Sequence, residues 1–317
     1  MITALGEILI DYTAKGKSEA GMDLFEQNAG GAPANVLACL AKLGIPTAFI
    51  GKIGDDMQGK FLYKTLEDAG INVSGLIVDK NYFTTLAFVS LSETGERNFS
   101  FARKPGADIM LNKEELNSDI LAKTKIFHFG SLSLTHEPSR EATYVAIKFA
   151  KKNGAIISYD PNYRALLWES KEIAKEQMRL PLQYVDVLKI SDEECELLTD
   201  EKDIYKACEH LLKKGIKIVV ITLGKDGALV GYKNDMKKIK GFASNKVVDT
   251  TGAGDSFWGG FLYSLYNKDN LSELSIDILS RDATFANAVA SLCIENFGAI
   301  KAMPTLEQVN RRLRGEL

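Results

Sequence analysis

Short apolar runs rich in β-branched residues alternate with helical patterns along most of the chain, and this alternation limits the possible folds more than any other feature. Strands are predicted at 2–10, 47–53, 126–130, 155–160, 185–190 and 216–222. Helices are predicted at 33–43, 60–69, 138–153, 171–179, 203–214, 254–267, 275–296 and 305–314. Strands separated by helices form parallel sheets that are covered on both faces. The expected fold class is α/β, a three-layer αβα sandwich around a mostly parallel central sheet.

One segment does not follow this alternation. Its pattern predicts a β-hairpin from strands at 84–91 and 97–103, joined by the turn SETGE. The side chains that would share one face of this hairpin are Phe99, Phe101 and Arg103. Together with strands from 12–30, residues 83–106 are expected to form a small β-sheet lid within a single domain that spans 1–317. An ordinary edge hairpin fits the pattern equally well.

Composition and charge exclude several classes of protein. Hydrophobic residues make up 45% and charged residues 26% of the chain, which is typical of a globular protein. The net charge of −3 gives no general basic footprint for nucleic acid. With no run of 18 apolar residues and no basic leader, the chain is expected in the cytoplasm and away from membranes. The four cysteines and three histidines show no metal-binding spacing.

The sequence VDTTGAGDSF, which follows a strand pattern at 246–248 and begins a long apolar helix, is the most informative stretch. Small residues at a helix start expose backbone N–H groups, so Gly252, Ala253 and Gly254 are expected to form an anion site. Asp255 would compete with a bound phosphate unless it takes a proton from, or orients, an attacking hydroxyl. Phosphoryl transfer needs this arrangement. A tight turn capped by aspartate is the alternative interpretation.

Two other phosphate-binding motifs are absent. Gly16-Lys17-Ser18 has Asp11 where the first glycine of a P-loop belongs, and Gly254 is followed by Phe257 where a dinucleotide-binding loop needs its third glycine. The sequence therefore indicates neither a P-loop enzyme nor a dinucleotide-dependent dehydrogenase.

A second glycine cluster, GGAPAN at 30–35, begins the first long helix. Its two glycines would let a ligand approach the backbone closely, with Gly31 nearest the helix. Asn35 offers both a donor and an acceptor, and Asp11 is expected at the carboxyl end of the first strand, where open α/β sheets bind ligands. These groups suit adjacent sugar hydroxyls, although a plain Gly-Gly turn also fits.

GGAPAN and DTTGAGD together resemble the paired signatures of the ribokinase-like carbohydrate kinase family, in the family's order and approximate spacing. The resemblance covers essentially the whole chain, and the segment from Asp160 to Trp168 resembles the fructokinase version. It implies a kinase that uses ATP and Mg²⁺. The segment 189–194 resembles the N-x-x-E element, with Ser191 where many members have Asn, and Glu194 would help place Mg²⁺ through water. Nucleotide-binding roles are thus implied for Lys189, Ser191, Glu194, Thr222, Gly224, Gly227 and Asn287.

The same resemblance implies a potassium site beside the anion site, formed by Asp249, the Thr251 carbonyl, and the loop with Asn296 and Gly298. A bound K⁺ would fix the amides there. A purely structural loop is the alternative. For Asn287, the alternative is a polar residue on a solvated helix face.

Arginines in the resembling segments bear on the substrate. Arg103 and Arg164 would bond sugar hydroxyls or meet an anionic group, unless they are ordinary surface residues. The carboxylate of 2-keto-3-deoxygluconate would suit an arginine pair. A sugar phosphate would need more cationic groups, and a nucleoside would need a stacking platform such as Phe99 and Phe101.

The expected activity is that of an ATP-dependent fructokinase, in which the C6 hydroxyl of fructose attacks the γ-phosphate and Asp255 is the base. The residues expected to line the sugar site are Asp11, Gly31, Asn35, Phe99, Phe101, Arg103 and Arg164. A homodimer through the exposed sheet of the lid is also expected. The alternatives are a 2-keto-3-deoxygluconate kinase and a non-catalytic sugar-binding sensor, against which the intact Asp255 and Glu194 argue.

Overall fold

The computed structural model describes residues 1–91, 97–244, 246–268 and 270–317, so the predicted turn at 92–96 lies outside the described residues. The strands are β1 (Ile2–Leu5), β2 (Leu9–Lys17), β3 (Asp23–Gly30), β4 (Thr47–Gly54), β5 (Asn72–Asp79), β6 (Leu86–Leu91), β7 (Arg97–Ala102), β8 (Ile126–Phe129), β9 (Ile156–Tyr159), β10 (Val187–Ser191), β11 (Ile218–Thr222), β12 (Ala228–Tyr232) and β13 (Asp235–Ile239).

Helices fill the segments between most of the strands. They are α1 (Ala32–Lys42), α2 (Met57–Asp68), α3 (Ser118–Ala122), α4 (Ser139–Lys152), α5 (Lys171–Arg179), α6 (Cys195–Thr199), α7 (Ile204–Lys213), α8 (Ala253–Tyr266), α9 (Ile276–Cys293) and α10 (Leu306–Leu313). None of these helices is both long and apolar enough to cross a membrane, as far as the described chain goes.

The central sheet has nine strands in the order β13-β12-β11-β10-β9-β8-β1-β4-β5. Pairing is parallel from β11 to β5, whereas β12 and β13 add antiparallel strands at one edge. One hydrophobic core lies between the sheet and α1, α2, α8, α9 and α10, and the other core lies between the sheet and α3 to α7. The predicted three-layer α/β fold is therefore confirmed. Its inner strands are apolar because both faces are covered, whereas the edge strands β5 and β13 carry exposed polar residues.

A separate four-stranded sheet has the order β3-β2-β6-β7. Asp11 lies opposite Asn28 and Ala87, and Ala87 lies opposite Phe101, so Asp11 and Phe101 share one face. The neighbouring residue Tyr12 lies opposite Phe88 and stacks on it, with ring centroids 5.5 Å apart, on the other face. This is the small sheet predicted from the hairpin pattern.

Two strand predictions were wrong in detail. The apolar pattern at 2–10 is not one strand, because the chain leaves the central sheet after Leu5 and enters the small sheet at Leu9. Residues 246–248 are not a strand either; the backbone N–H groups of Val248 and Asp249 donate to the carbonyl of Ile294, at the end of α9. Strands β5, β12 and β13 are additional to the predicted set.

Candidate active site

The N-termini of α1 and α8 are joined by a side-chain hydrogen bond. Asp255 lies in the first turn of α8, is 8% exposed, and accepts a bond from Nδ2 of Asn35 at 2.8 Å. Asn35 lies in the first turn of α1, and its backbone N–H donates to the carbonyl of Gly31. The structure thus brings together two residues that come from the two glycine motifs of the sequence.

The side-chain oxygen of Asn35 is not used in this contact. Its NH₂ group faces the carboxylate of Asp255, because only the amide nitrogen can donate there, and this fixes the orientation of the side chain. The other atom, Oδ1, is buried and has no hydrogen-bond partner in the described structure. An unpaired buried acceptor costs about 1–3 kcal/mol, so a ligand hydroxyl would stabilise this position.

Burial raises the pKa of Asp255 above the ordinary value of a carboxyl group, whereas the bond from Asn35 and the charges of Lys189 and Arg164 oppose the rise. A carboxylate with a raised pKa is a stronger proton acceptor than an ordinary aspartate. Asp255 therefore has the properties of a general base at the start of a helix.

The sequence predicts an anion site at the backbone before Asp255. Gly252 precedes α8 with φ of 77°, a left-handed conformation that favours glycine. The first N–H groups of a helix usually have no acceptor, but here the N–H of Ala253 donates to the carbonyl of Thr250 at 3.2 Å. A Cβ atom on Gly254 would lie 3.1 Å from Nζ of Lys189, which places an ammonium group directly beside these amides.

Lys189 is buried among carboxylates. Its Nζ lies 2.7 Å from Oδ2 of Asp160, which directly follows the neighbouring strand β9, and Asp160 also accepts a bond from the backbone N–H of Asn162. Burial lowers the pKa of Lys189, but the charges of Asp160, Glu194 and Asp255 outweigh it and raise the pKa. Burial raises the pKa of Asp160 to about 7. Lys189 therefore stays cationic and compensates the negative charge of the site.

Glu194 is held by the segment that precedes it and by the loop after β9. Its Oε2 accepts from the backbone N–H of Ser191 at 2.8 Å and bonds the Ser191 hydroxyl at 3.2 Å, and its Oε1 accepts from the N–H of Tyr163 at 2.7 Å. Ser191 thus keeps a side-chain contact where the family pattern has Asn. No cluster of three metal-ligating side chains occurs among the residues that the structure describes, so a magnesium ion would arrive with phosphate oxygens as further ligands.

Asp11 lies in β2 rather than at the end of β1 as predicted, because the chain crosses to the small sheet before it. A Cβ atom on Gly30 would overlap the carboxylate of Asp11, and a Cβ atom on Gly31 would lie 2.5 Å from the carbonyl oxygen of Glu7. Gly31 also has φ of 118°. The two glycines are therefore required by the packing of the chain itself, whereas the sequence analysis explained them by the approach of a ligand.

The two predicted arginines differ in their surroundings. Arg103 is 6% exposed, and its guanidinium donates to the Asp108 carboxylate, the Thr135 hydroxyl and the Leu132 carbonyl. Arg103 is therefore neither a surface residue nor available to bind a sugar, which corrects the prediction. Its hydrogen bonds instead connect the base of the small sheet to the central domain. Arg164 is exposed, and its charge lowers the pKa of Asp255, which places it at the edge of the site.

The aromatic candidates lie on β7. Phe101 is partly buried on the same face of the small sheet as Asp11. The backbone of Phe99 belongs to the same strand, and its side chain lies outside the described part of the structure.

Several residues predicted to bind the nucleotide lie around the backbone at 239–241. Thr222 ends β11, and a turn that contains Gly224 and Gly227 leads into β12. Gly227 packs directly on the backbone at 239–241. Asn287 is 6% exposed and donates through Nδ2 to the carbonyl of Lys240 at 3.2 Å, so it does not lie on a solvated face.

Asp249 organises the loop predicted to bind a monovalent cation. Its Oδ1 accepts from the backbone N–H and the hydroxyl of Thr251 at 2.9 and 2.7 Å, and its Oδ2 accepts from the N–H of Gly298 at 3.1 Å. Asn296 donates through Nδ2 to the carbonyl of Leu292. The carboxylate and the loop carbonyls are hard oxygen donors, which fit an alkali cation.

The sequence analysis missed two buried carboxylates. Asp160 directly follows an apolar strand. The lysine at position 189, within the next apolar strand, was the sequence signal that a buried acid and base form a pair there. Glu7 is 3% exposed and accepts a hydrogen bond from the backbone N–H of Ala32 at 3.0 Å. Gly6 and Glu7 interrupt the apolar run of 2–10, and this break was the available signal that the chain changes sheets there.

Comparison with known proteins agrees with this geometry. Residues 1–306 match the family described as pfkB family carbohydrate kinase. The chain is 42% identical over 321 residues to the probable fructokinase-5 of Arabidopsis thaliana, which covers 100% of this chain and 98% of that protein. A fructokinase from Xylella fastidiosa with bound ATP has a TM-score of 0.92 and 32% identity, covering 99% of this chain and 98% of that one.

A second similar structure is a double-mutant fructokinase from Vibrio cholerae O395 with fructose, ADP and a potassium ion bound. Its TM-score is 0.86 at 31% identity, with 98% of this chain and 97% of that chain covered.

Replacing Lys189 with methionine is expected to lower the free energy of unfolding by about 3–5 kcal/mol, because it leaves Asp160 buried without its partner. Removal of the ammonium group raises the pKa of Asp160 further. A carboxyl whose pKa is raised on folding destabilises the native state as pH rises, so the loss should be larger at pH 8 than at pH 5. Urea unfolding at both pH values measures this.

Two controls accompany this measurement. Lys64→Met breaks an exposed ion pair with Asp68 and should leave the free energy of unfolding nearly unchanged, because solvent screens such pairs. The double variant Asp160→Asn/Lys189→Met should be more stable than Lys189→Met alone. A Lys189→Met protein as stable as the wild type would show that the pair does not matter for folding.

Proposed function

The chain belongs to the pfkB family of carbohydrate kinases, and on this basis we propose how its residues carry out the ATP-dependent phosphorylation of fructose. The oxygen on C6 of fructose forms a bond to the γ-phosphorus, the bond from that phosphorus to the bridging oxygen of ADP breaks, and the hydroxyl proton is released. The observation that carries the proposal is the bond between Asn35 and Asp255, which places a base and an unpaired acceptor at one point.

Asp255 accepts the hydroxyl proton or orients the hydroxyl for attack. The amides of Gly252, Ala253 and Gly254 stabilise the phosphoryl group as its charge is redistributed in the transition state. Lys189 adds a positive charge beside the same amides. The amide of Ala253 would exchange its bond to the carbonyl of Thr250 for the phosphoryl group.

On the sugar side, Oδ1 of Asn35 accepts a bond from a second hydroxyl of the substrate. Asp11 and the backbone at Gly31 bind further hydroxyls. Asp11 lies in β2, on the same face of the small sheet as Phe101, and Gly31 lies where the chain passes from the small sheet to α1. Arg164 closes the outer edge, and Phe101 forms part of the wall under the small sheet, with a similar role proposed for Phe99.

On the nucleotide side, Thr222, Gly224, Gly227 and Asn287 line the groove for the adenosine part of ATP. Lys189, Ser191 and Glu194 lie at its phosphate end, where Glu194 holds Mg²⁺ through water. A bound magnesium ion supplies positive charge to the phosphates of ATP. Asp249, Thr251, Asn296 and Gly298 hold K⁺, which supplies a fixed positive charge beside the anion site.

The small sheet acts as a lid over the sugar, formed by about 12–30 and 83–106 within one catalytic domain. Lys15 of β2 lies over the ring of Phe297, 4.7 Å from its centroid, so the sheet touches the loop beside the anion site. Closure of a lid excludes water and limits wasteful hydrolysis of ATP.

The alternative substrate class is an acidic keto sugar such as 2-keto-3-deoxygluconate, because Arg164 presents an exposed guanidinium near Asp255. The commitment of Arg103 to Asp108 leaves only one arginine for a carboxylate, which favours fructose. A non-catalytic sensor would have no use for the buried pair of Lys189 with Asp160 beside the anion site. The four cysteines are free and buried, which supports a reducing compartment such as the cytoplasm.

Measuring ADP release in the presence of Mg-ATP distinguishes three hypotheses: a fructose kinase, a kinase for an acidic keto sugar and a non-catalytic sensor. In a panel of fructose, ribose, 2-keto-3-deoxygluconate, fructose 6-phosphate and adenosine, fructose is expected to give the highest kcat/KM, and K⁺ is expected to raise kcat. Highest kcat/KM for the keto acid would overturn the fructose assignment while keeping the kinase mechanism. Sugar binding without ADP release would instead indicate a sensor.

Asp255→Asn is expected to lower kcat by about 10²- to 10⁴-fold, because the amide cannot accept the proton, with little change in the affinity for fructose. The matched control is Asp282→Asn, which removes a buried carboxylate paired with Lys268 at the other end of α8 and should keep kcat near the wild-type value. Steady-state kinetics measures both. Full activity in Asp255→Asn would contradict the mechanism.

We also propose a homodimer through the outer face of the small sheet, where Tyr12, Phe25 and Phe88 form an aromatic cluster. Phe25 is 47% and Phe88 is 39% exposed, and their rings meet edge to face. Phe88→Glu is expected to convert a dimer to a monomer in sedimentation velocity, because the charge would be buried in the interface. Leu180→Ser, which removes a similarly exposed apolar side chain from α5's end, should leave the dimer intact. A monomeric wild-type protein would disprove the proposal.

A further inference from the structure

The chain passes between the central domain and the small sheet at four places, and these crossings are tied together by hydrogen bonds. The crossings are 6–8, 31, 80–85 and 103–108. The hydroxyl of Thr85 bonds the carboxylate of Asp108, and Asp108 also pairs with Arg103. These bonds join the third crossing to the fourth.

Glu7 joins the first crossing to the second. Its Oε1 accepts from the backbone N–H of Ala32, and a Cβ atom on Gly31 would lie 2.5 Å from its carbonyl oxygen. A Cβ atom on Gly6 would lie 2.6 Å from Cγ of Pro33. Residues 6 and 7 therefore contact three consecutive residues at the start of α1, the segment that carries the proposed sugar contacts.

The second carboxylate oxygen of Glu7 has no role in this packing. Oε2 is buried and has no hydrogen-bond partner in the described structure. The charged groups that act on Glu7 are Arg103 and Asp108, from the fourth crossing, while the N-terminus of α1 presents the Ala32 amide. A buried carboxylate used only for packing would be replaced at lower cost by an amide or an apolar side chain.

We propose that Glu7 is a positioning residue for the sugar site: its buried carboxylate fixes the start of α1 against the base of the lid and thereby sets the affinity for fructose. This inference rests on the proposed function. Glu7 touches no reacting atom, and acts through the backbone at 31–33 and through Asn35, which follows in the same turn.

The ionisation of Glu7 gives the proposal a specific signature. Burial raises the pKa of Glu7 to about 7, although backbone hydrogen bonds and the charge of Arg103 oppose the rise. Above pH 7 the group is a carboxylate, which accepts the bond from Ala32 more strongly than the protonated acid does. Fructose affinity should therefore decrease as pH falls through this range.

The test uses Glu7→Gln in the full-length chain. Glutamine keeps an acceptor for the Ala32 N–H but cannot ionise. In calorimetric titrations with fructose and no nucleotide, the wild-type Kd is expected to rise about two- to fivefold from pH 8 to pH 6, whereas Glu7→Gln should show a constant Kd close to the wild-type value at pH 6. Glu7→Leu, which removes the acceptor, should weaken fructose binding about tenfold or more.

Asp282→Asn is the matched control, because it removes another buried carboxylate whose pKa is raised by burial, and it should keep the wild-type pH dependence. The proposal is overturned if Glu7→Gln retains the wild-type dependence of Kd on pH, or if Glu7→Gln and Asp282→Asn differ from the wild type only in stability. If Glu7→Leu does not fold, Glu7→Gln decides the question. A wild-type protein that binds no fructose would instead disprove the proposed substrate.

Discussion

The hydrogen bond between Asn35 and Asp255 is the contact on which the geometry of the site depends, because it joins side chains 220 positions apart in the chain. It brings the first turns of α1 and α8 to the same point. The bond opposes the effect of burial on the pKa of Asp255, and it leaves Oδ1 of Asn35 as an unpaired acceptor. The residues proposed as the base, the anion site and the hydroxyl acceptor are thereby placed together.

Buried polar contacts below the site hold α8 on the sheet. Nε1 of Trp258 donates to the hydroxyl of Ser158 at 3.0 Å, and this hydroxyl lies 3.0 Å from Nδ1 of His128. Burial and the charge of Lys189 lower the pKa of His128 to about 3, so the ring is neutral and shares a hydrogen bond with the Ser158 hydroxyl. These contacts below the site therefore add no charge to that of Lys189 and its neighbouring carboxylates. The ammonium group of Lys189 is thus the main source of positive potential from below the anion site.

The sequence was sufficient to predict the α/β fold, the small sheet and the kinase reaction, because strand and helix periodicities and two glycine motifs are local signals. It could not predict contacts that depend on how separate segments pack. Arg103 was assigned to the sugar, but the burial of an arginine depends on Asp108 and on loop carbonyls elsewhere in the chain. Glu7 was missed because residues 2–10 were taken as one strand, although Gly6 and Glu7 interrupt the apolar run where the chain changes sheets after Leu5.

The central claim is that Asp255 receives the proton of the hydroxyl that attacks ATP. A crystal structure with fructose and a non-hydrolysable ATP analogue tests it most directly. If Asp255 is the base, the C6 hydroxyl should lie within about 2.6–3.2 Å of its carboxylate, and the γ-phosphate should contact the amides of 252–254. A sugar bound with no hydroxyl near Asp255, or a γ-phosphate away from these amides, would contradict it.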